Sequence, residues 1–184
     1  MSRVTRRGFL SLGAAAGLAA AWPLRASEEP NFQTLEFDWA DTARQRPVPV
    51  RLYLPSTQKR VPLVVVSHGI GGSRRGYSWL GTYLASNGMA ALHLQHVGSD
   101  RQVWTGNPQG VVGRLQDAAQ DREAIARAQD LRFALDQALA SEHAARFDTQ
   151  RIAAAGHSYG ANTTLLASGA RVQREGQIGR ASCR

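Results

Sequence analysis

The chain has little of what builds disulfide or membrane proteins. Its 184 residues contain a single cysteine, Cys183, so no intrachain disulfide framework is available. The apolar run over residues 12–24 is shorter than the roughly 20 residues that a membrane-spanning helix needs, and alanine and glycine make it only mildly hydrophobic. Hydrophobic residues nevertheless make up 43% of the chain, which is typical of one globular domain with a hydrophobic core.

Acidic residues are outnumbered, but the excess of positive charge lies mostly at the two ends. The formal net charge is +8, from 22 basic and 14 acidic residues. Six of the basic residues lie in the terminal segments: Arg3, Arg6, Arg7, Arg25, Arg180 and Arg184. The remaining residues are close to neutral, so we expect no nucleic acid or other polyanionic partner.

The N-terminus resembles a twin-arginine export signal. Arg6-Arg7 is followed by Gly8-Phe9-Leu10 and the apolar run, and Ala26 offers a small residue for cleavage. We therefore expect residues 1–26 to be a cleaved signal peptide that engages the twin-arginine export machinery. The mature protein is then expected to be periplasmic or secreted and not stably inserted in a membrane. An ordinary secretory signal and an uncleaved anchor are the alternatives.

The C-terminus resembles translated adapter DNA. Residues 178–184 are what the codons of a widely used sequencing adapter encode, and Gln177 is compatible with the same origin. We expect these seven residues to be an artefact, so Cys183 receives no catalytic, metal or redox role. Residues 27–177 would then be the N-terminal part of a domain that continues further.

The pentapeptide Gly156-His157-Ser158-Tyr159-Gly160 has the Gly-x-Ser-x-Gly form of a nucleophile elbow. In such an elbow the serine occupies a strained turn between a strand and a helix, and the small glycines avoid collisions there. The pattern by itself is weak, but residues 152–155 read as a strand before it and residues 161–167 as a helix after it. We therefore predict that Ser158 is a nucleophile.

A second motif lies upstream. Residues 61–66 read as a buried parallel strand and lead into the glycine-rich segment 67–73, Ser-His-Gly-Ile-Gly-Gly-Ser. Loops of this kind donate backbone N–H groups to an oxyanion. The two motifs together make a chance match to the elbow pattern unlikely.

Strand and helix patterns alternate along the rest of the chain, which predicts a mostly parallel sheet with helices on both faces. The first two strands are expected to be antiparallel edge strands, because Pro47 and Pro49 would be awkward in a central strand. Residues 95–113 are predicted to be a long irregular connection. The predicted strands are 31–38, 48–54, 61–66, 89–94 and 152–155, and the predicted helices are 77–86, 121–140 and 161–167.

With these elements in place, the chain resembles the α/β-hydrolase fold. Within it, the chain is similar to exported bacterial hydrolases related to dienelactone hydrolase and platelet-activating-factor acetylhydrolase. The resemblance covers about residues 61–168, and its motifs are 67–77, 96–100, 130–136 and 156–160. It implies a partial α/β-hydrolase fold whose C-terminal strands are missing from this chain.

The resemblance implies a serine hydrolase that cleaves small-molecule carboxylic esters through an acyl-enzyme on Ser158. The backbone N–H groups of Ile70 and Tyr159 would hold the oxyanion. Dienelactone hydrolases have cysteine at the elbow, so serine favours ester or acetyl-group hydrolysis. In this fold the triad acid and the triad histidine both follow the nucleophile in the chain. Between Tyr159 and the expected artefact at residues 178–184, the only carboxylate is Glu175 and there is no histidine. We therefore expect the chain as it stands to be inactive.

Other histidines and aromatic residues have plainer interpretations. His157 should pack beside the elbow and His68 should fix the shape of the glycine-rich loop. His96 and Asp100 lack a third ligand for zinc, so we expect neither a metal nor a cofactor; whether they shape a substrate loop or are only structural stays open. Trp104 is expected to line the site, and Trp79 to lie in the core.

Two further functions remain open. One is a different acyl-transfer enzyme on the same fold, such as a peptidase, thioesterase or acyltransferase, because a fold does not fix a substrate. The other is a catalytically silent, hydrolase-like binding protein. The presence or absence of a later acid and histidine distinguishes the latter from an enzyme.

Overall fold

The computed structural model describes residues 31–174 and 177–179. The strands in these ranges are β1 (Phe32–Asp41), β2 (Arg46–Pro55), β3 (Val61–Ser67), β4 (Ala90–Leu94), β5 (Phe147–Gly156), β6 (Val172–Arg174) and β7 (Gln177–Gly179). The α-helices of the same residues are α1 (Ser78–Ser86), α2 (Val111–Ala118), α3 (Asp121–Ala140) and α4 (Tyr159–Ala167). Short 3-10 turns occupy Arg101–Trp104, Pro108–Gly110 and Ala144–Arg146.

The main sheet is mixed, with the strand order β1-β2-β4-β3-β5. Its β4, β3 and β5 strands run parallel, whereas β2 is antiparallel to both β1 and β4. The carboxyl ends of β3, β4 and β5 therefore point the same way. This is the edge at which open α/β sheets bind ligands. Strands β6 and β7 form a separate antiparallel pair.

Helices cover both faces of the sheet, as predicted. The larger core lies between the sheet and α3, where Leu52, Leu63 and Leu92 meet Leu131 and Ala134. Because side chains alternate along a strand, Tyr53 and Ala91 point to the opposite face, where they pack against Ala85 of α1. The elbow helix α4 packs beside α3 through Leu166, Ala124 and Ala128. The helix predicted over residues 121–140 has those same bounds.

Three expectations about local structure were wrong. β2 is not an edge strand, because Val50–Tyr53 pair with β4; the two prolines lie before that pairing begins. The connection after β4 is not irregular throughout, because it contains α2, a helix with Gly113 inside it. Trp79 does not lie in the core: it is 68% exposed on the outer side of α1.

The predicted signal peptide, residues 1–26, lies outside the described residues, as do residues 180–184 of the predicted foreign tail. The export, the location and the domain division expected from these segments therefore stay predictions. Within the described ranges, the structure contains no helix whose length and apolar content would let it cross a membrane.

Candidate active site

Ser158 lies on a sharp turn between β5 and α4. Its backbone has φ 54° and ψ −120°, a positive φ that non-glycine residues rarely adopt. Such a conformation costs about 1 to 3 kcal/mol and persists only where the surroundings enforce it. The side chain of Ser158 is exposed. The local geometry is therefore that of the predicted elbow, with an exposed serine at the turn.

The glycines on either side of Ser158 allow the close approach that this turn needs. A Cβ atom on Gly156 would lie 2.3 Å from the backbone carbonyl of Gly160, and one on Gly160 would lie 2.1 Å from the carbonyl oxygen of Ser67. Neither position has room for a methyl group, because both neighbours are backbone atoms. The elbow therefore presses directly against the end of β3, where the glycine-rich loop begins.

The glycine-rich loop lies beside the nucleophile. A Cβ atom on Gly69 would be 3.4 Å from the Cβ of Ser158. The loop is held by hydrogen bonds from the N–H of Gly72 to the carbonyl of Gly69 and from the N–H of Gly71 to the carbonyl of Ser99. In the part of the chain that the structure describes, the N–H of Ile70 donates no hydrogen bond. It is available for an oxyanion.

A cavity of about 270 Å³ joins the elbow to this loop. Its walls include Ser158, Ile70, Tyr77, Trp104 and His157, together with the loop glycines. The structure therefore brings the predicted residues Ser158 and Ile70 to one cavity, with Trp104 at its rim as expected. Tyr159, the other predicted oxyanion donor, is the first residue of α4 and follows Ser158 directly.

His157 faces the cavity but pairs with Tyr77. The Nδ1 atom of His157 lies 2.7 Å from the Tyr77 hydroxyl, and the ring centroids are 5.4 Å apart. Tyr77 has a left-handed backbone, with φ 55°, so two strained residues line the same cavity. Among the described residues, no imidazole or carboxylate hydrogen-bonds to the Ser158 hydroxyl. The sequence did not single out Tyr77, because it reads as an ordinary helix-start residue.

A second Ser-His-Asp series is buried under the loop. The Ser67 Oγ lies 2.6 Å from the Nε2 of His96, whose Nδ1 lies 3.1 Å from the Oδ2 of Asp130. An ionised Asp130 can only accept, so Nδ1 carries the proton and Nε2 accepts from the serine hydroxyl. All three residues are 0% exposed, so no substrate can reach Ser67. This series is structural, and the Ser158 site remains the candidate active site.

Arginines neutralise the buried carboxylate of this series. Arg46 and Arg44 both contact Asp130, each at 2.9 Å, and Arg46 also reaches Glu123 at 2.9 Å. Burial opposes ionisation of Asp130, but hydrogen bonds from His96 and Arg46 outweigh it and hold its pKa below the usual range. Burial also opposes the charged form of His96 and lowers its pKa to about 3, so this imidazole is neutral. The network thus joins the start of β2 to α3 beneath the site.

His68 fixes the shape of the glycine-rich loop, as expected. Its Nδ1 donates to the carbonyl of Gly69 at 2.6 Å, and its Nε2 accepts from the N–H of His96 at 3.0 Å. Burial lowers the pKa of His68 to about 4, which keeps the ring neutral in this role. His68 therefore holds the loop and has no free nitrogen for proton transfer.

His96 and Asp100, whose role the sequence left open, have separate partners in the structure. Asp100 accepts hydrogen bonds from Gln95 and from the N–H of Gln102, whereas His96 turns to Asp130 on α3. In the described ranges, no three His, Cys, Asp or Glu side chains are grouped so as to hold a metal ion. The sequence signal for Asp130 was its place in the 130–136 motif, but local pattern cannot show a contact between residues 34 positions apart.

Comparison with known protein families gives one match. Residues 37–106 match the family described as platelet-activating factor acetylhydrolase, isoform II. This segment contains the glycine-rich loop and Trp104. A comparison with curated protein sequences gave no match.

Solved structures with the same fold are esterases and related hydrolases. A ferulic acid esterase from Streptomyces cinnamoneus is 24% identical with a TM-score of 0.59, over 75% of this chain and 54% of that one. A dienelactone hydrolase-like promiscuous phosphotriesterase from metagenomic libraries is 24% identical with a TM-score of 0.56, over 74% and 54%. A bacterial heroin esterase is 18% identical with a TM-score of 0.54, over 74% and 38%.

The chain thus spans between 38% and 54% of the length of these structures. The strand order, the elbow geometry and the likeness to these structures show that the chain has a partial α/β-hydrolase fold.

Proposed function

We propose that the full-length protein is a serine hydrolase that cleaves small-molecule carboxylic esters through an acyl-enzyme on Ser158. The observation that carries this proposal is the strained, exposed Ser158 beside a glycine-rich loop in one cavity. The matched esterases support ester hydrolysis in general. The role of Ser158 as the nucleophile goes beyond these similarities and is part of our proposal.

In this mechanism the Ser158 Oγ attacks the acyl carbon of the ester and its proton passes to a base. The carbonyl oxygen becomes an oxyanion, which the N–H groups of Ile70 and Tyr159 would stabilise. The C–O bond to the alcohol then breaks, and the alcohol leaves with a proton from the protonated base. Water attacks the acyl-enzyme in the same way, which releases the carboxylic acid and restores the serine hydroxyl.

The base and the acid that orients it are proposed to lie outside the described residues. In α/β-hydrolases the acid and the histidine follow the serine in the chain. Within residues 31–174 and 177–179, His157 is bound to Tyr77, while His68 and His96 are buried and fully engaged. None of these three histidines is therefore placed to act on Ser158.

A fluorophosphonate probe tests the proposal, because it phosphonylates only an activated serine. We expect it to label the full-length protein once, on the peptide that contains Ser158. Mass spectrometry of the digested protein identifies the labelled residue. A silent binding protein would not be labelled, and labelling of another serine in an active esterase would show that the nucleophile is misassigned.

The 184-residue chain alone should not hydrolyse esters faster than buffer does. The reason is that its described residues bring no imidazole or carboxylate to the Ser158 hydroxyl, and an unactivated serine is a weak nucleophile. The measurement compares this chain with the full-length protein on p-nitrophenyl acetate. Hydrolysis by the 184-residue chain that disappears in its Ser158→Ala variant would contradict the expectation.

Trp104 should contribute to the binding of bulky esters. It is 57% exposed at the cavity rim, and its indole N–H donates to the carbonyl of Gly71 at 3.1 Å. Replacing it with alanine removes apolar contact area worth about 1 kcal/mol, so we expect KM for a benzoate ester to rise by about 3- to 10-fold. KM for an acetate ester should change less.

The matched control for this prediction is Trp104→Phe, which keeps an aromatic ring but lacks the N–H donor. We expect it to retain most of the binding of the benzoate ester. Steady-state kinetics on both esters provide kcat and KM for each variant. If Trp104→Ala leaves KM for the benzoate ester unchanged, the rim does not contact the substrate.

A further inference from the structure

Arg127 is a buried cation that contacts both halves of the candidate oxyanion site. It lies on α3 and is 0% exposed. Its Nη2 donates to the carbonyl of His68, at the start of the glycine-rich loop. Its Nε donates to the Thr163 Oγ1 on the elbow helix α4 at 2.8 Å, and its Nη1 donates to the Ser99 Oγ at 2.8 Å. One planar group therefore joins three segments.

The same guanidinium also packs on the residue that follows the nucleophile. Its central carbon lies 4.7 Å from the centroid of the Tyr159 ring, within the range of a cation–π contact. Thr163 adds an indirect link between Arg127 and Tyr159, because its hydroxyl accepts from Arg127 and donates to the carbonyl of Tyr159 at 3.0 Å. Arg127 thus contacts the ring of Tyr159 directly and its backbone carbonyl indirectly, through Thr163.

The hydrogen bond from Arg127 to the glycine-rich loop lies near the other proposed oxyanion donor, the N–H of Ile70. The His68 carbonyl lies two residues before Ile70, and the imidazole of His68 already fixes the next carbonyl, that of Gly69. The Ser99 contact adds support, because the Ser99 carbonyl accepts the N–H of Gly71 on the other side of Ile70. The loop is therefore tied to Arg127 on both sides of the Ile70 amide.

We propose that Arg127 is a positioning residue that sets the separation of the two oxyanion donors, the N–H groups of Ile70 and Tyr159. This inference rests on the proposed ester hydrolysis. A rigid guanidinium has five N–H donors in one plane, whereas a lysine ammonium is a single point that cannot reach three acceptors in different directions. Burial lowers the pKa of Arg127 to about 10, so the group is still charged at neutral pH.

The deciding variant is Arg127→Lys in the full-length protein, with Arg44→Lys as its matched control. Both replace a guanidinium at helix α3, but the Arg44 side chain is 22% exposed and contacts Asp41, Asp130 and the carbonyl of Ala126 and no residue of the loop or elbow. Since a misplacement of about 1 Å can cost up to about 100-fold in rate, we expect Arg127→Lys to lower kcat by about 10- to 100-fold. KM should stay within about 2-fold, because the donors act on the transition state.

A boronic acid that forms a tetrahedral adduct with the serine gives an independent measure of the oxyanion donors. Its affinity should fall in Arg127→Lys by about the same factor as kcat, and should not change in Arg44→Lys. Thr163→Val removes the elbow-side acceptor of Arg127 together with the hydrogen bond to the carbonyl of Tyr159, and should lower kcat by about 3- to 10-fold. Unchanged kcat in Arg127→Lys, or an equal loss in Arg44→Lys, overturns the inference.

Hydrogen exchange tests the positioning without relying on activity. In Arg127→Lys the amides of residues 69–72 and 157–160 should exchange faster than in the Arg44→Lys variant, since the contact that holds both segments is gone. Exchange that is equal in the two variants also overturns the inference. If Arg127→Lys does not fold, Thr163→Val supplies the same comparison. A wild-type protein without Ser158-dependent hydrolysis would instead refute the proposed function, and exchange alone would then decide whether Arg127 positions the segments.

Discussion

Replacing Ser158 with alanine in the full-length protein should lower kcat for p-nitrophenyl acetate by about 10⁴-fold or more. The variant removes the only protein atom in the proposed mechanism that bonds to the acyl carbon. The remaining rate would come from the oxyanion donors and substrate binding alone. KM should change little, because the variant removes only one hydroxyl group, which contributes little to substrate binding. Stability should be maintained, since Ser158 is exposed.

The matched control is Ser67→Ala, because Ser67 also heads a Ser-His-Asp series. It is 0% exposed and hydrogen-bonds to the Nε2 of His96. Its loss should cost about 1 to 3 kcal/mol of folding free energy, as for any buried polar group left without a partner. The kcat of this variant should stay within about 3-fold of the wild type, since a buried hydroxyl cannot attack a substrate.

These two variants decide between the two serines. Steady-state kinetics and thermal unfolding, measured on the same preparations, separate a catalytic loss from a loss of stability. Undiminished hydrolysis in Ser158→Ala would disprove the acyl-enzyme mechanism on this residue. A loss of activity in Ser67→Ala, with retention in Ser158→Ala, would indicate that the buried series opens to substrate.

Strain is concentrated where the chemistry is proposed. Of the three non-glycine residues with positive φ in the described ranges, Ser158 and Tyr77 both line the cavity, and Gln45 lies in the turn between β1 and β2. Strained residues persist where packing enforces them. Here the packing is the contact of Gly160 with the end of β3, so the strain of the elbow and the position of the glycine-rich loop depend on each other.

The sequence predicted the elements whose signal is local. The helix over residues 121–140 was identified from its long apolar stripe and strong helix formers. The elbow was identified from glycines at fixed spacing together with the strand and helix patterns on either side. The strand before the loop was also identified from its local pattern. The short α2 was missed because Gly113 and only eight residues give a weak periodic signal.

The remaining features depend on contacts between distant segments. The pairing of His96 with Asp130 and the position of Arg127 between loop and elbow are set by how α3 packs on the sheet, which periodicity does not show. Trp79 was misplaced because helical spacing indicates that a face exists, not which face meets the sheet. The contacts of His96 and Arg127 beneath the site therefore depend on tertiary packing.

Acidification below about pH 6.5 should destabilise the protein, because three of its imidazoles are buried. Burial lowers the pKa of His68 and of His93 to about 4 and that of His96 to about 3. The unfolded chain binds a proton on each imidazole below its ordinary pKa of about 6.5, while the folded chain holds them neutral. The unfolded state therefore binds more protons, so the free energy of unfolding falls as the pH falls from about 6.5 toward 4.

The expected size of this effect is large. Each imidazole that takes up a proton only on unfolding contributes a slope of about 1.4 kcal/mol per pH unit, so the three together approach about 4 kcal/mol per unit. A typical domain has about 5 to 15 kcal/mol of stability in total, so we expect cooperative acid unfolding above about pH 4. Burial raises the pKa of Asp130, but hydrogen bonds from His96 and Arg46 outweigh burial and hold that pKa below its usual range. Protonation of Asp130 therefore lowers the free energy of unfolding further only at lower pH.

His93→Phe isolates one of the three protons. The ring of His93 packs 5.0 Å from that of Tyr53, and in the described structure its buried Nε2 has no hydrogen-bond partner. Phenylalanine keeps this ring contact and removes the hydrogen bond between the Nδ1 and the carbonyl of Gly76, which lie 3.2 Å apart. Urea unfolding followed by circular dichroism, repeated across the acid range, should show a slope about one third smaller in this variant. Tyr53→Phe, which alters the other ring of the pair but no group that titrates in this range, should keep the wild-type slope. An unfolding free energy that stays level between about pH 7 and 5 would mean that the imidazoles are protonated in the folded state, contrary to their burial.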